Sequence, residues 1–235
     1  MKDSLNRDGF AVVFNALDRS AVQALIAATS AAQEHVCQRD GRVYALRNLL
    51  VIPAVRELAE SRAVRDLVEP TLGRAARVVR GIFFDKTPGA NWKVAWHQDV
   101  SIAVKQRVDV EGFGPWSTKA GVVHVQPPRE ILDAMLTVRL HLDTCGEQNG
   151  PLKVIPGSQA RGVLPPDEVA AMLQQGTVAT CAVPRGGAVM MRPLILHASS
   201  SAQSPAHRRV IHLEFCGIGL PGGLEWAFSM GEIKQ

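Results

Sequence analysis

Hydrophobic positions follow two different periods along the chain, and the change falls near Gly73. Before it, Val55, Leu58, Ala59, Val64, Leu67 and Val68 recur at three and four spacing, which predicts one helix over about 54–72 with Gly73 as its stop. Further upstream, GFAVVFNAL reads as a short strand, and Asp18 or Ser20 can cap an Ala-rich helix running to about His35. After Gly73 the apolar residues alternate instead. In MLTVRLHLD, Leu136, Val138, Leu140 and Leu142 share one strand face, while Thr137, Arg139, His141 and Asp143 share the other. RRVIHLEF divides likewise into Arg209, Ile211, Leu213 and Phe215 against Arg208, Val210, His212 and Glu214. RVVRGIFFD, the segment around WHQDV, and GGAVMMRPLILH read as further strands between Gly, Pro and Asn. The order predicts an α+β, mainly β fold, with helices packed on the apolar faces of an antiparallel sandwich or barrel and polar faces turned inward. Residues 103–131, with Gly112, Gly114, Pro115, Pro127 and Pro128, read as an insertion over one mouth of it.

Composition narrows the class without changing the picture. A chain of 235 residues with 46% hydrophobic and 20% charged residues can bury one substantial core, so residues 1–235 are read as a single domain. The net charge of +4 is spread among acids, which points away from nucleic acid and toward an anionic small molecule. No run of about 18 apolar residues suggests a membrane span, and Asn15, Asp18 and Arg19 interrupt any leader-like opening, so a cytoplasmic location is expected. Cys37, Cys145, Cys181 and Cys216 have no CxxC spacing and read as buried thiols. Gly186-Gly187 and Gly222-Gly223 lack the context of a nucleotide loop.

Candidate chemistry begins at His97-Gln98-Asp99. On an extended strand, residues i and i+2 project to one side within about 7 Å of rise, so His97 and Asp99 can converge on one ion. Completed by a second imidazole, they make a facial triad that leaves three positions of an octahedral iron(II) open to a 2-oxo acid and dioxygen. His35, His124, His141, His207 and His212 compete for the third place, but His197 fits best, at the end of the apolar run LILH and before the polar turn ASSSAQSP. The tripeptide HLD, with His141 and Asp143, is an alternative pair. Arg208 lies eleven residues after His197, where a hairpin would carry its guanidinium beside the metal; it either binds a carboxylate there or pairs with Glu214. Trp92 and Trp96 line a mouth or pack in the core, and Lys86 and Lys93 either meet an anionic substrate or are ordinary exposed lysines.

The opening DGFAVVFNALD, FFDKTPG before WHQD, LHLD followed by NGPLKVIPGS, and HAS with Arg208 eleven positions after His197 occur in an order that resembles the phytanoyl-CoA dioxygenase family over most of the chain. The resemblance implies a double-stranded β-helix, a cupin-like jelly roll flanked by helices. It implies that His97, Asp99 and His197 hold iron(II), and that Arg208, aided by Ser199, anchors 2-oxoglutarate. By family position Gln98, Ile82, Arg139 and Arg47 are further cosubstrate contacts, although Arg139 stands where the family often carries an aromatic residue. Asp99 argues for hydroxylation, since related halogenases replace that carboxylate by a small residue. The activity implied is a dioxygenase that hydroxylates a small organic substrate with O2 and 2-oxoglutarate, releasing succinate and CO2. The basic residues Arg80, Lys86, Lys93, Lys105, Arg107 and Lys119, against Asp85, Asp99, Asp109 and Glu111, point to a carboxylate or phosphate on that substrate. Two other readings are a non-catalytic jelly-roll protein that binds metal and 2-oxoglutarate, and an oxygen-independent cupin-like enzyme.

Overall fold

The computed structural model describes residues 2–31, 36–39, 42–204 and 206–228. A short helix α1 (Lys2–Arg7) leads into strand β1 (Phe10–Val13) and helix α2 (Arg19–Ala31). Asp18 starts α2, its carboxylate accepting from the Ala21 N–H at 2.8 Å and from the Ser20 hydroxyl at 2.7 Å. The amide so satisfied would otherwise lack an intrahelical partner. The expected extension of this helix to His35 lies outside the described residues. Strands β2 (Val36–Arg39) and β3 (Arg42–Arg47) follow and pair antiparallel, a hairpin for which the sequence offers a turn signal in Asp40-Gly41 between them.

The helix expected over 54–72 is instead two helices, α3 (Pro53–Glu60) and α4 (Arg62–Leu72). Ser61, at φ −63° and ψ 150°, ends the first, and its Oγ caps the second by accepting from the Val64 N–H at 3.4 Å. A serine hydroxyl competes for backbone amides, so it breaks a helix even where the apolar spacing runs on. Gly73, at φ 81°, closes α4.

Strands β4 (Arg77–Lys86), β5 (Val94–His97), β6 (Ile102–Val104), β7 (Trp116–Lys119), β8 (Val122–Val125), β9 (Met135–His141), β10 (Leu152–Val154), β11 (Ala179–Cys181), β12 (Ala188–Met191), β13 (His197–Ser199) and β14 (Arg208–Cys216) make up the rest, with helices α5 (Arg129–Asp133) and α6 (Pro166–Gln175) between them. A seven-stranded sheet runs β1-β12-β9-β14-β4-β3-β2, and a four-stranded sheet runs β11-β10-β13-β5. These two sheets form the double-stranded β-helix. Leu136, Val138, Leu140, Leu142, Ile211, Leu213 and Phe215, from the apolar faces of β9, β14 and the turn after β9, pack with Val55, Leu58, Val64 and Val68 of the helices. Each such buried aliphatic or aromatic side chain contributes about 1.5–3 kcal/mol. Leu152, Val154, Val189, Met191 and Ile195 form a second cluster that joins β10 to β12.

Two further expectations are corrected here. Residues 103–131 are not a bare covering loop: β6, β8 and β7 form a third sheet, on which Ile102, Val104 and Val125 pack against Leu132, Leu194 and Trp226. His197 does not end the strand of LILH. The ladder of β12 stops at Met191, Pro193 and Leu194 turn, and His197 opens β13 in the other sheet. Proline has no N–H to continue the ladder. Arg208 is therefore not reached through a hairpin, because β13 and β14 belong to different sheets. Cys145, Cys181 and Cys216 are buried free thiols; the side chain of Cys37 lies outside the described residues. Among the described residues, no helix is long and apolar enough to cross a membrane.

Candidate metal centre

Strands β5 and β13 pair antiparallel with His97 and His197 as register partners, which brings their ring centroids to 4.2 Å. Each ring places Nδ1 against the carbonyl two residues before it, His97 on Ala95 at 2.8 Å and His197 on Ile195 at 2.9 Å. A carbonyl only accepts, so Nδ1 carries the proton and Nε2 keeps its lone pair for a metal. Asp99 follows the end of β5, where its N–H donates to the Pro193 carbonyl at 2.9 Å. Its carboxylate oxygens then stand 3.8 Å from His97 Nε2 and 3.7 Å from His197 Nε2. One ligand atom from each residue lies within 4.8 Å of the others, and this is the metal-capable group among the described residues.

Protonation suits the same purpose. Burial pushes the His197 imidazolium down to about 4, so the ring is neutral near pH 7. For Asp99 burial acts upward, but His197, His212, His97 and Arg80 outweigh it and hold the carboxyl below its usual range. A neutral imidazole and an ionised carboxylate are the forms that bind a metal ion. Three protein ligands on one side leave open positions, as iron(II) in a 2-His-1-carboxylate site requires.

Nine residues singled out by the sequence, His97, Gln98, Asp99, His197, Arg208, Ser199, Arg139, Ile82 and Arg47, line one cavity of about 350 Å³. Their situations differ. Arg208, only 3% exposed, donates from Nη1 to the Gly150 carbonyl, while its Nε has no partner. Arg139 is buried, donates to His212 Nδ1 at 2.8 Å, and also has an unpartnered Nε. Buried donors without acceptors are costly, and two guanidinium groups facing one cavity fit a carboxylate-bearing guest such as 2-oxoglutarate. Arg208 does not pair with Glu214. That carboxylate instead accepts from Arg80 at 3.0 Å and from His212 Nε2 at 3.3 Å. Because Arg139 can only donate, His212 accepts at Nδ1 and so donates from Nε2.

Gln98 is committed to backbone. Its amide nitrogen donates to the carbonyls of Gly162 and Leu194 at 2.8 and 2.6 Å, and its oxygen accepts from the Leu164 N–H at 2.8 Å. It clips the turn before β13 to the loop before α6, directly between two candidate metal ligands. Replacing Gln98 by Ala is expected to destabilise the metal-free protein by about 2–3 kcal/mol, three partly buried hydrogen bonds at about 1 kcal/mol each. Chemical denaturation measures it, and an unchanged midpoint would remove this role.

The alternative pair HLD separates. Asp143 is taken by Arg209 at 2.7 and 2.8 Å, and His141 is buried with neither ring nitrogen partnered, its basicity pushed down to about 3 by burial and Arg139. Trp96 packs with Ile155, Leu164 and Leu196, whereas Trp92 lines the cavity. Lys86 corrects the reading as an exposed lysine: it is 0% exposed and donates to Ser199. Its signal was present, since Arg80, Ile82, Phe84 and Lys86 alternate along β4 as an inward face must.

A family model described as Phytanoyl-CoA dioxygenase (PhyH) matches residues 5–210. L-proline trans-4-hydroxylase of Streptomyces griseoviridis is 30% identical over 128 residues, 43% of this chain; the match spans 47% of that relative's own length. Among solved structures, AviO1 from Streptomyces viridochromogenes Tue57 superposes with a TM-score of 0.67 at 23% identity, covering 94% of this chain and 95% of that one. EctD from S. alaskensis, solved with 2-oxoglutarate and 5-hydroxyectoine, gives 0.70 at 18% identity, covering 92% of this chain and 74% of that one. Both likenesses are of fold.

Proposed function

Because the chain belongs to the phytanoyl-CoA dioxygenase family, we propose that it is a non-haem iron(II)- and 2-oxoglutarate-dependent dioxygenase that hydroxylates a small, anionic organic substrate, with succinate and CO2 as co-products. One observation carries the reading: three metal-capable side chains and a buried, partly unpartnered Arg208 share one cavity. A structural metal site would be closed by a fourth protein ligand and would give that arginine no task. His97, Asp99 and His197 would hold the iron, and Arg208 with Ser199 would hold the distal carboxylate of 2-oxoglutarate. Iron(II), when bound, supplies open positions for the 2-oxo acid and O2 and the oxidising chemistry that follows. The protein's part is to orient both guests and exclude water, for which the buried walls of β9 and β14 are suited.

The substrate side is the half of the cavity toward Arg47, Arg80 and Lys119. Arg80 is neutralised by Glu214 at 3.0 Å, while Lys119 donates to the Ser101 hydroxyl at 2.9 Å and keeps its charge available to an anion. Arg47, Arg80, Ile82 and Lys119 also border an adjoining cavity of about 400 Å³ with Leu50 and Val79. A carboxylate on a modest apolar body suits that setting, and the curated relative's name, L-proline trans-4-hydroxylase, is that of an enzyme for a small carboxylate-bearing molecule.

Anaerobic addition of iron(II) and 2-oxoglutarate is expected to give a weak visible charge-transfer band. Amino acids, other small carboxylic acids and acyl-CoA thioesters can then be screened in air for stimulated succinate release. A protein that shows no band and releases no succinate with any of them would end the proposal; a band without turnover would leave only a binding role.

A further inference from the structure

Lys86 is the last residue of β4, in register with Arg208, the first residue of β14. Its side chain continues the inward face of Arg80, Ile82 and Phe84, all three of which line the metal cavity. The ammonium is fully buried, donates to Ser199 Oγ at 3.3 Å and to the Ser200 carbonyl, and lies 5.5 Å from the Trp92 ring centroid. Gly150 makes room for it. At φ +60° it has no side chain, and a Cβ there would stand 2.5 Å from the Ser200 carbonyl oxygen and 3.2 Å from Lys86 Nζ.

Two cations directly opposite in an antiparallel register repel, and burying them without a counter-charge is unfavourable. The groups that face Lys86 do not relieve this: they are Arg208 on β14, Arg139 on β9 and the Cys145 thiol after β9. The neighbouring Asp85 accepts from His207 at 2.9 Å. Among the described residues no carboxylate pairs with Lys86. An anion entering beside Arg208 would resolve the conflict.

We propose that Lys86 is a positioning residue for the distal carboxylate of 2-oxoglutarate, donating to Ser199 Oγ so that the serine proton turns toward the anion. The step follows from donor counting: an ammonium can only donate, so Ser199 accepts from it, and the serine's own O–H is left to serve the cavity it lines. Lys86 also adds a second positive charge beside Arg208. The inference rests on the functional reading above.

A pH signature separates this role from a structural one. Burial first, then Arg208, pulls the Lys86 ammonium down to about 7. The bound carboxylate would raise it again, so binding above pH 7 takes up a proton and weakens by up to about tenfold per pH unit. As pH falls below 7 the lysine is increasingly charged already, and the uptake fades.

The experiment is calorimetric titration of manganese(II)-loaded protein with 2-oxoglutarate at pH 6.5, 7.5 and 8.5, in buffers of different ionisation enthalpy. Wild type is expected to take up protons at pH 8.5 and to bind more weakly there than at pH 6.5. Lys86→Met should bind manganese as wild type does, lose roughly 10- to 100-fold in 2-oxoglutarate affinity at pH 6.5, and show neither proton uptake nor the pH trend. A Lys86→Met protein that keeps the wild-type trend, or wild type without uptake at pH 8.5, overturns the proposal. Should the variant fail to fold, the wild-type proton count decides alone. Wild type that does not bind 2-oxoglutarate at any pH overturns the functional reading and this inference with it.

Discussion

Replacing Asp99 by Ala is expected to reduce 2-oxoglutarate-dependent succinate formation more than about 1000-fold, over about 4 kcal/mol of transition-state stabilisation. The fold should survive the change. The backbone bond from Asp99 N–H to the Pro193 carbonyl does not involve the side chain, and the carboxylate is 3.7 and 3.8 Å from its imidazole neighbours, too far for hydrogen bonds. What is lost is the one anionic member of the proposed metal-binding group, leaving two imidazoles in register on β5 and β13. His97→Ala should act in the same direction. Iron(II) titration, thermal melting of the metal-free protein and succinate assays test this together. If both variants keep the charge-transfer band and succinate release, His97 and Asp99 are not the metal ligands.

Arg208→Met carries the second large effect and should fall on the cosubstrate alone. Truncating one member of a buried, hydrogen-bonded charge pair costs about 2–5 kcal/mol, or roughly 30- to 5000-fold in 2-oxoglutarate affinity. Metal binding should be unchanged, because Arg208 comes from β14 in the seven-stranded sheet while the two histidines come from the four-stranded one. The ligand-free variant should be as stable as wild type or more so, since an apolar side chain replaces a buried cation whose Nε has no partner. Lysine at this position should not restore affinity, because a point charge lacks the guanidinium fork. Equal losses of stability and affinity would instead make Arg208 a structural residue whose main partner is the Gly150 carbonyl.

Much of the seven-stranded sheet was legible because strand parity is a local property. Leu136, Val138 and Leu140 alternate with Thr137, Arg139 and His141; the first set packs on the helices and the second is buried on the opposite face, where Arg139 lines the cavity. The same rule applied to RVVRGIFFDK turns Lys86 inward with Ile82 and Phe84, against the usual exposure of lysine. The unforeseen pieces are of another kind. Strand β10 and β11, three residues each, and helix α6, with no buried residue, are too short or too polar to carry a periodic signal. The break at Ser61 depends on one hydroxyl among correctly spaced apolar neighbours.

The order of residues by itself determined which side chains could form the centre. An i, i+2 His-Asp pair projects to one side wherever the backbone is extended, and the apolar alternation of β9 and β14 settles which face packs on the helices. Only the tertiary structure decided how they meet. It placed His197 at the start of a strand in the opposite sheet, in register with His97, and carried Arg208 back to the first sheet next to a buried Lys86. It also gave Gln98 its three backbone partners, from residues 64 to 96 positions away. The physical reason is range. Parity and capping are set by neighbours a few bonds apart, whereas the register between sheets and the burial of a lysine follow from contacts formed after the chain has crossed the β-helix.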